Sequence, residues 1–148
     1  MQFSASIEYA IHGLVYLAVS GSPNAVLLGS IAGATAVPES YLRKVFQLMA
    51  RAGLVASHRG VKGGFTLARA AKDISLADVV QAIDGALPTY TCMREKRKCA
   101  DTEACIVSDI FAQARRKMEE VLGGTSLDAL AKTISARSPA WLKVVQCA

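Results

Sequence analysis

The first 42 residues of this 148-residue chain contain no Lys or Arg. Positions 43 to 72 then contain no Asp or Glu. The same segment holds seven basic side chains, which are Arg43, Lys44, Arg51, Arg59, Lys62, Arg69 and Lys72. A segment with charge of one sign is the electrostatic feature of a protein that binds a polyanion such as nucleic acid.

Other features are scarce or absent, and each absence excludes a class of protein. The chain has two histidines, no C-x-x-C pair and no glycine-rich loop of the phosphate-binding kind, so we expect no enzyme. No apolar run reaches the roughly 18–20 residues of a membrane span. The apolar stretch 7–19 lacks a basic segment before it and is interrupted by Glu8 and His12, which indicates an amphipathic helix rather than a signal peptide. We therefore expect a cytoplasmic protein with reduced thiols and no membrane contact.

Apolar periodicity and turn residues predict a chain that is mainly helical. The predicted helices cover about 5–19, 28–34, 38–52, 75–84 and 106–122. Thr125 and Asp128 are the predicted cap of a further helix that contains Leu127 and Ile134. Pro38 suits a first helical position, Gly53 and Gly85 suit helix ends, and Ser75 opens a capping box with Asp78. Two extended segments, LVASHR and GFTLAR, flank a glycine-rich tip at 60–63, which predicts a basic β-hairpin.

The order helix, break, helix and basic hairpin predicts a winged helix-turn-helix with a small two-stranded β wing. We divide the chain into a DNA-binding domain at 1–85, a cysteine loop at 86–105, and a long helix with a C-terminal tail at 106–148. The alternative is a plain helical core with a solvated basic face. We favour DNA binding because the motif order, the glycine-rich tip and the missing acids coincide.

In this arrangement the helix that starts near Pro38 enters the major groove with its N-terminal residues. Arg43 can bond guanine in bidentate fashion, which discriminates by roughly 1–3 kcal/mol. Ser40 and Tyr41 suit phosphates, whereas Arg59, in the hairpin, suits a narrow minor groove. The predicted DNA contacts are Glu39, Ser40, Tyr41, Arg43, Lys44, Arg59 and Lys62.

Three cysteines, Cys92, Cys99 and Cys105, lie within one fourteen-residue window in the pattern C-x6-C-x5-C. Structural zinc sites typically use paired C-x2-C knuckles, which are missing here. Thiolates gathered in one segment are what a soft metal or an iron–sulfur cluster requires. Cys147 is remote from the others, and we interpret it as a spare thiol.

The chain resembles the small dimeric winged-helix regulators that include the iron–sulfur regulator IscR, the nitric-oxide sensor NsrR and the iron regulator RirA. The resemblance covers about residues 1–135. It rests on EYAIHGLVYLA, on VPESYLRKVFQLMARAGLVASHRGVKGGFTLAR, on ISLADVVQAIDG and on the three-cysteine segment followed by a helix. It implies a homodimer formed through the long helix at 106–122, recognition of a palindromic double-stranded DNA operator, and an iron–sulfur cluster on the three cysteines.

The resemblance also bears on the fourth cluster ligand. IscR-like members use a histidine two residues after the third cysteine, but this chain has Val107 there. NsrR-like members use a carboxylate near the start of the first helix of the partner subunit, and Glu8 stands at the matching position, with His12 as the alternate ligand. The alternative for Glu8 and His12 is an ordinary exposed pair on one helix face. Both a 2Fe-2S and a 4Fe-4S cluster fit these ligands.

The function that follows is a transcriptional regulator, expected to be a repressor, whose operator affinity depends on a cluster that senses nitric oxide, redox state or iron. The alternative is a cluster-free or zinc-bound regulator of thiol or cysteine metabolism with the same fold.

Overall fold

The computed structural model describes residues 3–22, 24–60, 63–87 and 105–137. Within these residues the fold has six α-helices and one two-stranded antiparallel sheet, which confirms the predicted winged-helix class. A 3-10 turn at Ala71–Asp73 precedes α4. The elements are α1 (Ala5–Ser20), α2 (Leu28–Thr35), α3 (Glu39–Arg51), β1 (Val55–His58), β2 (Gly64–Leu67), α4 (Leu76–Ile83), α5 (Ile106–Gly124) and α6 (Leu127–Ala136).

Helix α3 begins and ends at residues that cap it. Pro38 is the N-cap and not the first helical residue, and its carbonyl accepts the N–H groups of Tyr41 and Leu42, each at 3.0 Å. At the other end Gly53 has a φ of +70°, and the Leu54 N–H donates to the Met49 carbonyl at 2.9 Å. This six-to-one bond with a left-handed glycine is the Schellman ending, so the predicted stop at Gly53 is confirmed.

The sheet forms the wing that the hairpin pattern predicts. Strands β1 and β2 pair from Val55 with Leu67 to His58 with Gly64. Val26, in the α1–α2 connection, adds a bridge to the outer edge of β2 through two 2.9 Å bonds with Phe65. A Cβ at Gly64 would lie 2.3 Å from the Val26 carbonyl oxygen, so only glycine allows this approach. The base of the wing is therefore fixed to the helical core.

The core lies where α1 meets α3. Phe46 of α3 is fully buried, and its ring packs against Gly13 of α1 so closely that a Cβ on Gly13 would lie 2.6 Å from the ring. The surrounding core side chains are apolar, and they include Leu14, Val15, Ile31, Leu42, Val45, Met49, Leu54, Ile74 and Val79.

Helix α6 also belongs to this core. Leu127 is 1% exposed, and its N–H donates to the Ile74 carbonyl at 2.8 Å. Ala131 is buried one turn later, and α6 packs along α1. The described residues of α6 therefore pack into the same core as the predicted domain 1–85, and the division of the chain at that boundary stays a prediction.

Two helix starts test the capping rules. Ser75 and Asp78 form the predicted capping box at α4, with both reciprocal hydrogen bonds present. At α6 the predicted cap was wrong by one residue. Ser126 is the N-cap and accepts the Ala129 N–H, while the hydroxyl of Thr125 donates back to the Val121 carbonyl of α5 at 2.8 Å.

Helix α5 buries none of its nineteen residues. One side of it contacts α4, and the other presents apolar side chains to solvent. Among the described residues, no helix is long and apolar enough to cross a membrane. The exposed large apolar side chains of α5 are Ile106, Val107, Ile110, Phe111 and Val121.

Candidate nucleic-acid interface and metal centre

Helix α3 has one face in the core and one in solvent. Leu42, Val45, Phe46 and Met49 are buried. The side chains of Glu39, Ser40, Arg43 and Lys44, which the sequence assigned to DNA, are all exposed. This exposed face begins at the N-terminal end of α3, which is the end that a recognition helix presents to base edges.

A groove of about 610 Å³ runs between α3, the first turn of α2 and the wing. Glu39 and Arg43 line it on the α3 side, and Ser57, His58 and Gly60 line it on the wing side. Arg59 is exposed next to these wing residues. Lys62 lies outside the described residues. The structure thus brings two of the predicted readers, Glu39 and Arg43, into one groove with the wing residues that flank Arg59 in the sequence.

Tyr41 differs from its neighbours on α3. Its hydroxyl forms a 2.8 Å hydrogen bond with the hydroxyl of Ser6 on α1, and its ring meets Tyr9 edge to face at a centroid distance of 5.4 Å. The side chain is nevertheless 40% exposed. The predicted phosphate contact and the observed bond to α1 thus involve the same hydroxyl.

Glu8 lies on the rim of a second groove, of about 480 Å³, at the start of α1. Glu8 is exposed and His12 is partly buried. Among the described residues, Glu8 takes part in no hydrogen bond or ion pair. Apart from these two and Ser4, the lining is apolar, and it consists of Phe3, Ala5, Ile7, Ile11, Leu76, Val80 and Leu122.

Of the three clustered cysteines, the structure describes Cys105. It is the N-cap of α5, partly buried, with a free thiol. Cys92 and Cys99 lie outside the described residues. Within the part of the chain that is described, no group of three or more His, Cys, Asp or Glu side chains converges as a metal site would require. Val107, at the position of the histidine ligand in IscR-like proteins, is 48% exposed.

Two hydrogen bonds that the sequence did not predict join the start of α1 to the end of α4. We call this contact the Ser4–Asp84 clasp. The carboxylate of Asp84 accepts the backbone N–H of Ser4 at 3.0 Å and the Ser4 hydroxyl at 2.5 Å. Ser4 is the N-cap of α1, and Asp84 is the C-cap residue of α4. Nothing local in the sequence points to a partner 80 positions away.

Comparisons with known proteins agree with this fold. The family model Rrf2, described as an iron-dependent transcriptional regulator, matches residues 3–133. A Mycobacterium tuberculosis (strain H37Rv) protein, named as an HTH-type transcriptional regulator, is 33% identical over 127 residues, which cover 86% of this chain and 79% of that protein. Transcriptional regulators are not enzymes, which supports the expectation of no catalysis.

Two solved structures share the fold at 26% sequence identity. T. potens IscR aligns with a TM-score of 0.75 over 95% of this chain and 93% of its own. CymR, the global cysteine regulator of B. subtilis, aligns with a TM-score of 0.74 over 90% of this chain and 98% of its own. This chain, with its winged-helix fold, belongs to the Rrf2 family of transcriptional regulators.

Proposed function

We propose that this chain is a cytoplasmic, homodimeric repressor that binds a palindromic double-stranded DNA operator, and that an iron–sulfur cluster controls its affinity. Cys92, Cys99 and Cys105 would hold the cluster, with Glu8 of the partner subunit as fourth ligand and His12 as the alternate. Each protomer would insert α3 into the major groove, and its wing would follow the backbone to the minor groove.

The observation that carries the proposal is the position of Glu8. Its exposed carboxylate stands at the rim of an apolar groove, with no bonding partner among the described residues. An oxygen ligand beside three thiolates makes a mixed site, and a carboxylate is a harder ligand than sulfur. The groove gives room for a segment from a second subunit beside that carboxylate. The half-buried thiol of Cys105 fits the same set of donors.

A bound cluster would supply a centre that reacts with nitric oxide, oxygen or iron loss. The chain itself provides the connection to DNA. Glu8 lies on the first two turns of α1, between Ser4, which binds Asp84 at the end of α4, and Tyr9, which packs on Tyr41 of α3. Ser6 on the same turns bonds the Tyr41 hydroxyl. A shift of the start of α1 would therefore be passed to the start of α3, a local event that biases a global state.

The first experiment measures iron and acid-labile sulfide in protein purified without oxygen, together with binding to an operator selected from genomic fragments. We expect matched iron and sulfide near about two or four per chain. We also expect operator affinity to change when the cluster is removed. A colourless protein without sulfide, before and after reconstitution, would contradict the cluster, and binding no tighter than to random DNA would contradict the regulator.

Glu8→Ala tests the fourth ligand. We expect the variant to fold normally and to lose its cluster faster under oxygen or nitric oxide, because a ligand position is left to solvent. The measurement is the decay of the visible absorbance of the cluster. Glu120→Ala, which removes an exposed carboxylate from α5, is the matched control, and His12→Ala tests the alternate ligand. A wild-type decay rate in Glu8→Ala would exclude Glu8.

The second candidate is a regulator of cysteine metabolism without a cluster, and the structural likeness to CymR favours it. Such a protein would bind DNA with no iron present. Replacing all three clustered cysteines by serine separates the candidates, because the substitution would remove the response to cluster loss in the first and leave DNA binding unchanged in the second.

A further inference from the structure

The recognition helix carries an ion pair within the set of side chains that face DNA. Arg43 Nη2 lies 2.5 Å from Glu39 Oε1, one turn earlier on α3. The two side chains are 58% and 47% exposed. Ion pairs this exposed are screened by solvent, so the fold gains little stability from this one. The pair matters because it holds the Glu39 carboxylate and the Arg43 guanidinium together in the groove between α3 and the wing.

The other oxygen of Glu39 lies near the first turn of α2. A Cβ built on Gly29, in the first turn of α2, would lie 3.3 Å from Glu39 Oε2. The N-terminus of a helix carries partial positive charge, which favours a carboxylate there. Glu39 therefore lies between the start of α2 and the guanidinium of Arg43.

A carboxylate in this position restricts the DNA that can bind. It repels phosphates and the acceptor atoms of base edges, which include guanine O6 and N7 and thymine O4, and it accepts a bond from the exocyclic amine of cytosine. The guanidinium of Arg43 has the opposite preference, because it donates two parallel bonds to guanine O6 and N7. Pairing with Glu39 fixes the plane of that guanidinium before DNA arrives, so less side-chain freedom is lost on binding.

We propose that Glu39 and Arg43 act as one recognition unit that selects a guanine and a neighbouring cytosine in each half of the operator. Arg43 donates to guanine O6 and N7, while Glu39 keeps its bond to Arg43 through one oxygen and accepts the cytosine N4 amine with the other. Glu39 thereby contributes discrimination more than affinity. The inference rests on the proposed sequence-specific DNA binding and names the bases that this binding requires.

The test is selection of bound duplexes from a pool of random sequence, with wild-type protein and the variants Glu39→Gln and Arg43→Gln. Wild type should enrich a motif that contains adjacent guanine and cytosine in each half. Since glutamine pairs with adenine N6 and N7, Glu39→Gln should move the preference at the cytosine position to adenine while guanine is kept. Arg43→Gln should lose the guanine preference by roughly ten- to a hundredfold.

The matched control is Asp128→Asn. Asp128 forms an i,i+4 ion pair with Lys132 on α6, at 2.7 Å, and α6 contributes no residue to the groove between α3 and the wing. This variant should select the wild-type motif. Circular dichroism of each variant checks that its helices are intact.

The outcomes separate the inference from the function on which it rests. A selected motif that stays the same in Glu39→Gln, or that contains no guanine dependent on Arg43, overturns the recognition unit and leaves sequence-specific binding standing. A wild-type protein that enriches no sequence over the starting pool overturns both.

Discussion

Tyr41 is a single residue with two contacts that sequence patterns could not predict. Its position on α3 suggests a phosphate contact, and its exposure allows one. Its hydroxyl is nevertheless 2.8 Å from that of Ser6 on α1. A phenol both donates and accepts, so it can keep the bond to Ser6 while it meets a phosphate. With a phosphate contact, Tyr41 would both orient α3 and bind DNA. Without that contact, Tyr41 would only orient α3.

The substitution Tyr41→Phe removes the hydroxyl and keeps the ring contact with Tyr9. We expect the affinity for operator and for random DNA to fall by the same factor, about two- to tenfold, because a phosphate bond carries no sequence information. Ser6→Ala is the control, since it removes the same intramolecular bond and leaves the Tyr41 hydroxyl available. Fluorescence anisotropy with both duplexes measures the effect. Unchanged affinity in Tyr41→Phe would exclude the phosphate contact.

At the scale of elements, the close crossing of α1 and α3 sets where the recognition helix sits. The two helices meet at Gly13 and Phe46, and a methyl group on Gly13 would overlap the ring. Phe46 is fully buried and also contacts Phe65 of the wing at a centroid distance of 4.8 Å. One aromatic side chain therefore connects α1, α3 and β2, and it fixes α3 relative to the wing.

Gly13→Ala should lower the free energy of unfolding by about 1–3 kcal/mol, because the ring of Phe46 has to move within a packed core. Gly33→Ala is the control. Gly33 lies inside α2 with nothing within 4 Å of a Cβ, so alanine there should be neutral or stabilise the protein by up to about 1 kcal/mol. Urea unfolding at one protein concentration measures both. Equal stability of the two variants would contradict the role assigned to the crossing.

At the scale of the whole molecule, helix α5 presents an exposed apolar face to solvent. It runs along the helix from Ile106 to Val121, and these two side chains are 74% and 67% exposed. Contiguous apolar surface on a small protein marks an interaction site. In a symmetric dimer, such a face packs against the same face of a second copy of the chain. This supports the proposed homodimer, in which one assembly would contain two copies of α3.

Ile110→Asp should convert the protein to monomers, because a charge would be buried in the contact between two copies of α5. Operator affinity should then fall at least about a hundredfold, since the second half-site is no longer bound by a linked partner. Arg116→Asp places the same acidic side chain on the opposite side of α5, where Arg116 is exposed, and should leave the dimer intact. Sedimentation velocity measures the assembly. A dimer that persists in Ile110→Asp would exclude this face as the interface.

The features that were predictable from the sequence are local. Gly53 ends α3 because a left-handed residue must follow the helix, and Ser75 with Asp78 opens α4 because the two side chains reach each other's N–H groups. The cap of α6 shows the limit of such reasoning. Thr125 and Ser126 both suit an N-cap position. Because the Thr125 hydroxyl is bonded to the Val121 carbonyl at the end of α5, Ser126 caps α6 instead.

The sequence by itself determined the order of helices and wing, the positive charge of the segment 43–72 and the spacing of the three clustered cysteines. These properties depend on a few neighbouring residues or on composition. Only the tertiary structure decided that Asp84 clasps Ser4, that α6 packs on α1, and that Glu8 borders an apolar groove. The physical reason is that such contacts join residues tens of positions apart, and they form only when packing of the whole core sets the distance between them.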